Sequence, residues 1–504
     1  MFDHLINGFS VALQPLNLLI ALLGSVIGTV IGVLPGLGPT ATIAMLLPLV
    51  FTMSPVAAMI MLTSIYYGAM YGGSTTSILV NIPGESASVI TTIDGHKMAM
   101  QGRAGPALAI AAVSSFVAGT LAVVVLTMVG RPVASLALRF GPAEFFSLMF
   151  FGLATVASLA GAQVGKAIVT TVMGLMIATV GIDLVSGAPR FTFGNPFLQD
   201  GIDFIVVAMG VFAISEIVVT AKEVWEGTRP QVVQAGNVWL SWKDFRYSLP
   251  SIFRGSFFGF LMGMLPGAGA TLSTFVAYNV EKRLARNPEL YGTGDIRGVA
   301  CPEAANNAAS GASLIPLLSL GIPGGGATAV MLGALMMLDI TPGPMMFDKH
   351  GALLWALIAS MYVGNVLLLV LNWPMVNVFA RIMSVPARYL MPIVLVICTV
   401  GVWSLSSSSV DLVLTGAAGV LGYYMRRQKW PIEPLVLGLI LGGRMESSYR
   451  QALIISKGSP TIFFEKPISL VLLLGALVFL ALPPILARMK KGRALVEALE
   501  GGEA

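Results

Sequence analysis

Residues 32–40 read GVLPGLGPT, and residues 263–271 repeat the pattern as GMLPGAGAT, 231 positions further along. A second pair follows in the same order: Asn-Ile-Pro-Gly at 81–84 is matched 240 positions later by Gly-Ile-Pro-Gly at 321–324. Matches that keep their order, at a slowly growing separation, predict two homologous halves. Whether the halves run parallel or inverted depends on the number of membrane crossings in each, which the sequence does not fix.

The composition of the chain excludes most classes of soluble protein. Of its 504 residues, 56% are hydrophobic and 11% are charged, with a mean hydropathy of +0.86, whereas a soluble domain has about 25% charged residues. A soluble enzyme, a disordered chain and a nucleic-acid-binding protein are therefore poor interpretations. The net charge of +5 is typical of basic cytoplasmic loops. The composition predicts an all-α polytopic membrane protein.

Long uncharged segments predict the membrane spans. No formal charge lies between Asp3 and Glu85, and a spanning helix needs about 20 apolar residues. With the later apolar segments included, we expect about twelve transmembrane segments, some of them broken or re-entrant. Because no basic residue precedes the first apolar segment, we expect it to remain as a span and not to be removed as a signal peptide.

Changes in charge mark the expected domain boundaries. The polar stretch at 222–249 predicts a linker, and the end of the chain is basic and then acidic. Both are expected on the cytoplasmic side, since basic loops favour that side. The predicted parts are repeat 1 at 1–221, the linker at 222–249, repeat 2 at 250–488 and the tail at 489–504.

Each half contains two Pro-Gly breaks in apolar sequence, at 34–38 and 82–86 in the first and at 265–269 and 322–326 in the second. Proline removes a backbone donor, and glycine allows a positive φ. In a bilayer, broken backbone is tolerated only where it is buried in protein or lines an aqueous cavity. Paired breaks in two repeats indicate a transporter's substrate site. The alternative, ordinary turns at the membrane surface, is weaker for four matched breaks than for one.

The candidate ligands are the residues of these breaks and the polar residues beside them. Free helix N-termini suit carboxylates, and free carbonyls suit a small cation. Neutral hydroxyls and amides can bind either ion without burying a charge. The predicted substrate-binding residues are Pro35, Gly36, Gly38, Thr40, Ser74, Thr75, Thr76, Ser86, Ser88, Pro266, Gly267, Gly269, Thr271, Asn306, Asn307, Gly324, Gly325 and Thr328. The predicted cation-binding residues are Asn81, Pro83, Gly84, Gly321 and Pro323.

Alternatives exist for the residues near the breaks. Small residues such as Gly72, Gly73 and Gly311 are more typical of close helix packing, whereas the adjacent amides of Asn306 and Asn307 favour function.

Ionisable residues within a membrane indicate functional sites by default. Glu85 is a weaker cation ligand because Gly325 stands at the matching position, and Glu303 is a further carboxylate near a break. We expect Asp94 and Asp339 to cap or leave a re-entrant hairpin at the membrane interface.

Enzyme chemistry has little support in the sequence. GAQVGKA at 161–167 lacks the spacing of a nucleotide-binding P-loop, and GTGD at 292–295 lies in a polar stretch, not in a span. Cys301 and Cys398 have no neighbouring ligand motif, so neither a disulfide framework nor a zinc site is predicted. No catalytic residue, cofactor or resident metal is expected beyond a coupling ion.

Five segments together resemble the large membrane subunit of the tripartite tricarboxylate transporters, the TctA type. They are GVLPGLGPTATIAMLLPL at 32–49, YYGAMYGGSTTSILVNIPGESASV at 66–89, DGHKMAMQGRAGPALA at 94–109, GMLPGAGATLSTFVAYNVEKR at 263–283 and GVACPEAANNAASGASLIPLLSLGIPGGGATAV at 298–330. The resemblance extends over nearly the whole chain.

This resemblance implies a multi-pass permease of the bacterial cytoplasmic (inner) membrane, surrounded by membrane lipid. Its expected partners are a small four-span membrane subunit and a periplasmic solute-binding protein that delivers a carboxylate such as citrate; no nucleic acid is expected. Uptake would be driven by an ion gradient, Na+ or H+, by symport and by an elevator mechanism. The alternatives are an intramembrane enzyme and a channel-like permease that acts without a binding protein.

Overall fold

A computed structural model describes residues 2–34, 38–158, 163–183, 186–225, 233–265, 269–382 and 387–488. Within these ranges the fold is all-α, as predicted, apart from one two-stranded antiparallel sheet of Gly181–Ile182 (β1) and Pro189–Arg190 (β2). The predicted tail at 489–504 lies outside the described residues, as do Pro35, Gly36, Pro266 and Gly267 of the predicted site.

The first half contains ten α-helices in its described part. They are α1 Phe2–Ala12, α2 Pro15–Val33, α3 Pro39–Val50, α4 Pro55–Val80, α5 Val89–Met98, α6 Ala104–Ala137, α7 Pro142–Ser158, α8 Val164–Ile177, α9 Phe204–Ala208 and α10 Ser215–Trp225. Short π-helical segments, Ala99–Arg103 and Met209–Ile214, join α5 to α6 and α9 to α10. Such segments often mark functional sites.

The second half continues with thirteen α-helices in the part that the structure describes. They are α11 Trp242–Gly263, α12 Gly269–Leu284, α13 Arg297–Ala312, α14 Leu314–Leu320, α15 Gly326–Met337, α16 Met346–Lys349, α17 Gly351–Asn372, α18 Val376–Ile382, α19 Ala387–Ser406, α20 Ser409–Arg427, α21 Glu433–Ile455, α22 Ile462–Glu465 and α23 Pro467–Arg488.

Three helical segments among the described residues are long and apolar enough to cross a membrane. They are Pro15–Val33, the continuous run Ser86–Leu136 and Gly351–Asn372. Seven shorter apolar helices of 10–17 residues accompany them. Breaks at the Pro-Gly motifs shorten several of these helices, since α3 and α15 each have 12 residues. The expected twelve spans therefore remain a prediction, while the all-α membrane fold is supported.

Glycines let two helix pairs, α2 with α4 and α11 with α13, approach closely. A Cβ atom at Gly28 would lie 2.4 Å from Ile65 O, and a Cβ atom at Gly259 would lie 2.4 Å from Ala305 O. No side chain fits at such distances, so only glycine permits this contact. The two glycines are 231 positions apart and their partners 240, the same separations as in the sequence motifs.

The stretch predicted as a solvent-facing linker is partly packed onto both halves. Residues 226–232 lie outside the described ranges, but beyond them Val233 N–H donates to Leu79 O over 2.9 Å. Trp373 Nε1 donates to Val238 O over 2.8 Å. Helix α11 begins at Trp242, eight residues before the predicted start of repeat 2, because Ser241 caps it by accepting the Asp244 N–H.

Candidate functional site

The second Pro-Gly break has the same backbone geometry in both halves. Asn81 follows the last residue of α4 with φ of 61°, and Gly321 follows the last residue of α14 with φ of 71°. Both residues are left-handed, which glycine adopts freely and asparagine tolerates. In each half Ile-Pro-Gly follows directly, so the chain leaves the helix at the residue that the sequence motif marks.

The helical turn after each break is capped in the same way. The Ser88 hydroxyl donates to Glu85 O over 2.8 Å and accepts the Glu85 N–H over 3.3 Å. The Thr328 hydroxyl donates to Gly325 O and accepts the Gly325 N–H, both over 2.9 Å. Ser88 and Thr328 are buried, so both predicted substrate ligands serve here as cap residues.

The breaks of the two halves meet each other. Ser86 Oγ, beyond the second break of the first half, lies 2.7 Å from Thr271 Oγ1, beyond the first break of the second half. The reciprocal contact also exists, because a Cβ atom at Gly326 would lie 2.9 Å from Thr40 Oγ1. Thr40 and Thr271 are equivalent in the two sequence motifs, so the contact between halves occurs twice.

The contact region is open to a ligand at several residues. Ser86 is exposed, and Thr40 and Thr271 are half-buried. Gly38, Gly269 and Gly325 are half-buried as well, and a Cβ atom at Gly325 would lie 3.8 Å from Gly269 Cα. We call these six residues the rim.

Helices α3, α12 and α15 begin at the rim. Their first-turn N–H groups lack intrahelical partners and carry partial positive charge. An anion with two or more carboxylates fits this arrangement, because hydroxyl donors and several helix N-termini lie close together.

A buried polar layer that includes the other predicted substrate ligands lies inside the rim. Thr76 Oγ1 donates to Val33 O over 2.9 Å, and Thr75 is buried. The Ser74 hydroxyl donates to the Glu303 carboxylate. Asn307 Nδ2 donates to Glu303 O, one turn back in its own helix, over 3.2 Å. All four side chains are buried, and those of Ser74 and Thr76 join neighbouring helices.

Glu303 is the centre of this layer. Its carboxylate accepts the hydroxyls of Ser74, Thr91 and Ser115 from helices α4, α5 and α6. The sequence marked Glu303 only as a carboxylate near a break and missed Thr91 and Ser115. The available signal was a lone carboxylate within a helix whose one other charged residue, Arg297, lies at its start, since such a group needs donors from neighbouring segments.

A second buried carboxylate, Glu85, lies beside it. Its side chain accepts the Ala87 N–H over 2.7 Å and the Asn306 amide over 3.0 Å. Asn306 Oδ1 is buried and has no hydrogen-bond partner among the described residues. The Asn306 amide therefore hydrogen-bonds to a carboxyl group of the other half and not to a residue of the rim.

The predicted cation-binding residues occupy different surroundings in the two halves. Gly84 is wedged against the first helix pair, since a Cβ atom there would lie 2.2 Å from Gly32 O and 2.5 Å from Gly73 Cα. Asn81 is exposed and Pro83 half-buried, whereas Pro323 is buried. Gly321, by contrast, lines a cavity.

This cavity has a volume of about 480 Å³ and borders the second break of the second half at Gly321. Arg444, Lys349 and His350 contribute basic groups, Asp339 an acidic one, and Ser447 a hydroxyl. Arg444 forms no ion pair with any residue that the structure describes. The cavity was not predicted, because its basic residues are distant in sequence from the break that they surround.

Asp94, which was expected to cap or leave a hairpin at the membrane interface, caps a loop of the other half. Its side chain is fully buried and accepts the N–H groups of Gly292 and Gly294, each over 2.8 Å, and the hydroxyl of Tyr278 over 2.8 Å. Asp94 thus anchors a loop of the second half, the GTGD stretch at 292–295. Its sequence counterpart, Asp339, has φ of 58° and lines the cavity.

The fold and the site define a helical membrane protein with broken helices that meet where its two halves touch. A family model described as the Tripartite tricarboxylate transporter TctA family matches residues 18–437. The chain belongs to this family, and is thus a membrane component of a tricarboxylate transporter whose tripartite organisation implies further subunits. The transporter family also argues against an enzyme.

Two relatives from Agrobacterium vitis are similar in sequence. The 52.8 kDa protein of the TAR-I ttuC′ 3′ region is 45% identical over 501 residues, which cover 99% of each chain. The protein of the TAR-II ttuC′ 3′ region is 42% identical over 241 residues, which cover 47% of this chain and 99% of that protein. No solved structure matches this chain.

Proposed function

We propose that this chain is the large permease subunit of a binding-protein-dependent transporter of the bacterial inner membrane. It would carry a tricarboxylate or related carboxylate, such as citrate, with an Na+ gradient as the driving force and a small four-span subunit as its membrane partner. The transporter family supports the general activity. The observation that carries the detailed proposal is the meeting of the breaks at the rim, where Ser86 of one half contacts Thr271 of the other.

Two homologous repeats explain the paired contacts. Each half would present its first break to the second break of the other, which accounts for the Ser86–Thr271 contact and for the approach of Thr40 to Gly326. A site built between two repeats can change its access when one moves against the other. We infer an elevator or related alternating-access movement across this contact.

Substrate carboxylates would bind first at the rim. The hydroxyls of Thr40, Ser86 and Thr271 and the N–H groups that begin α12 and α15 would donate hydrogen bonds to them. The buried residues Ser74, Thr75, Thr76, Asn306 and Asn307 would shape the site from within. Neutral donors suit a transported anion, because a fixed positive charge at the rim would also hold the substrate back from release.

The cavity beside Gly321 supplies the positive charge that the rim lacks. Arg444 and Lys349 would attract a tricarboxylate toward the break, and a guanidinium can bind a carboxylate with two hydrogen bonds. The same charges disfavour a cation at Gly321. We therefore assign this cavity to carboxylate attraction and place the coupling ion elsewhere.

Uptake of labelled citrate into proteoliposomes tests the proposal. The vesicles would contain this chain with the small membrane subunit, and binding protein would be added outside, with or without an inward Na+ gradient. Accumulation that needs both the binding protein and Na+ is the expected result. Uptake without the binding protein would favour a channel-like permease, and chemical conversion of citrate would favour an intramembrane enzyme; either result would contradict the proposal.

A further inference from the structure

The buried carboxylates of Glu85 and Glu303 lack a positive partner. Glu303 is fully buried and Glu85 nearly so, and no Lys, Arg or His in the described part of the chain forms an ion pair with either. The two groups are neighbours, because Asn306, three residues after Glu303 in α13, donates its amide N–H to Glu85. Two negative charges in a medium of low polarity are costly, and hydrogen bonds from neutral donors offset only part of that cost.

Unpartnered oxygen atoms lie beside this pair. Asn306 has 1% of its surface exposed, and its amide nitrogen donates to Glu85, while its Oδ1 has no partner among the described residues. The Tyr71 hydroxyl, in the same helix as the Glu303 donor Ser74, is also buried without a described partner. A buried carbonyl oxygen without a donor, next to carboxylates, is the environment that a hard cation requires.

We propose that Glu85, Glu303 and Asn306 bind the coupling Na+ of the transporter. That the bound ion drives transport rests on the proposed function, whereas the binding site itself follows from the local chemistry. No group of three or more His, Cys, Asp and Glu side chains occurs among the described residues. The all-oxygen set and its small number of carboxylates therefore favour a monovalent ion over a tightly held transition metal.

The location of this site links ion binding to the rim. Glu85 caps the turn Ser86–Ser88 by accepting the Ala87 N–H, and the adjacent Ser86 contacts Thr271 of the other half. An ion at Glu85 would compete with that cap and with the Asn306 amide for the same carboxylate. Its arrival or release would thus shift the turn that presents Ser86 to the substrate.

Thermal unfolding of the purified full-length chain in lipid nanodiscs tests Na+ binding directly. Melting curves would be measured in increasing NaCl, with choline chloride holding the ionic strength constant. A ligand that binds only the folded state raises the melting temperature with its concentration. The wild-type chain is expected to be stabilised by NaCl over choline chloride, with a half-saturating Na+ concentration that the titration gives.

Three variants distinguish an ion site from a structural role. Glu85→Gln and Glu303→Gln keep the side-chain shape and remove one charge each, so the half-saturating Na+ concentration should rise at least tenfold. Because each also removes an uncompensated charge, its melting temperature in choline chloride should equal or exceed the wild-type value. Asn306→Ala keeps both charges and should also weaken Na+ binding. Glu144→Gln is the matched control, a buried glutamate elsewhere whose carboxylate accepts the Gly141 N–H.

Several outcomes would overturn the proposal. They are a wild-type chain that NaCl and choline chloride stabilise equally, Gln variants with an unchanged Na+ response, and stabilisation by Ca2+ or Mg2+ that Na+ does not reproduce. The readout needs neither substrate nor partner subunits. Failure of citrate uptake would therefore contradict the proposed function without changing the result of this test.

Discussion

Single glycines set how closely the helices of this protein approach. At Gly84 the nearest atoms to a Cβ would be backbone atoms of Gly32 and Gly73, which cannot rotate away as the end of a side chain can. The break thus lies against the helix pair α2–α4 because three glycines meet there. A packing requirement and a functional break coincide at one residue.

Substitution of Gly84 by alanine should destabilise the protein. Overpacking of this kind costs about 1–3 kcal/mol, so Gly84→Ala should lower the melting temperature in nanodiscs. Gly364→Ala is the control, because no atom outside the local backbone of α17 lies within 4 Å of its Cβ position. Alanine also favours a helix over glycine by about 1 kcal/mol. Equal melting temperatures of the two variants would contradict the packing argument.

Arg444 is the residue through which the cavity would act on the substrate. A charge-assisted hydrogen bond contributes about 1.5–3 kcal/mol, and a loss of about 1.4 kcal/mol corresponds to a factor of ten. Arg444→Gln should therefore reduce citrate uptake at least tenfold, and Arg444→Lys should restore part of it. Arg286 is exposed, and Arg286→Gln is the control for the loss of one positive charge. If uptake by Arg444→Gln stayed within twofold of the wild-type value, the cavity would not take part in transport.

At the scale of secondary-structure elements, helix capping determines how the chain turns after the second break of each half. Glu85 and Gly325, which begin the two turns, have different side chains. Ser88 and Thr328 nevertheless close the turns with the same pair of hydrogen bonds. The cap leaves the following N–H groups fixed in direction. It is the part of the break that the two halves share most closely.

Removal of the second cap should loosen α15. Thr328→Ala should cost about 1 kcal/mol, the typical value for a lost N-terminal cap, and should lower both the melting temperature and the uptake rate. Thr328→Ser keeps the hydroxyl and should behave as wild type in both measurements. If Thr328→Ser failed as completely as Thr328→Ala, the threonine methyl group and not the cap would be responsible.

The local features of the breaks could be predicted from the sequence, whereas their neighbours could not. Pro-Gly within apolar runs predicted where α4 and α14 end, because proline and glycine act on their own backbone. The donors of Glu303 come from Thr91 and Ser115, about 190–210 positions away along the chain. No local pattern encodes such a pairing, since it depends on how helices of the two halves pack.

Burial could not be predicted from residue type either. Ser74, Thr75 and Thr76 differ little from Ser86 and Thr271 as polar residues, yet the first three are buried and Ser86 is exposed. The difference follows from position, because 74–76 lie within α4 and face other helices. The sequence pattern identified the polar residues of this region but not which of them are buried and which lie at the rim.

At the scale of the whole molecule, buried polar contacts join the two halves. Asp94 of the first half holds the loop at 292–295 of the second, and Glu303 of the second accepts hydroxyls from three helices of the first. These polar contacts are buried, so they would resist separation of the halves at those points. The contacts at the rim differ, because one joins the exposed Ser86 to the half-buried Thr271 and the other joins two half-buried residues, Thr40 and Gly326.

A reversible cross-link at the rim should therefore stop transport. The oxygen atoms of Ser86 and Thr271 lie 2.7 Å apart, so Ser86→Cys combined with Thr271→Cys brings two thiols close enough for the geometry of a disulfide. Oxidation should reduce citrate uptake to background, and dithiothreitol should restore it, because the proposed movement separates these residues.

The cross-linking experiment has low background, because the native Cys301 and Cys398 are both buried. Each single cysteine variant, treated with the same oxidant, should keep its uptake. Full uptake by the cross-linked double variant would mean that Ser86 and Thr271 stay together during transport. Movement between the halves would then have to occur without opening the rim, and the alternating-access proposal at this contact would be wrong.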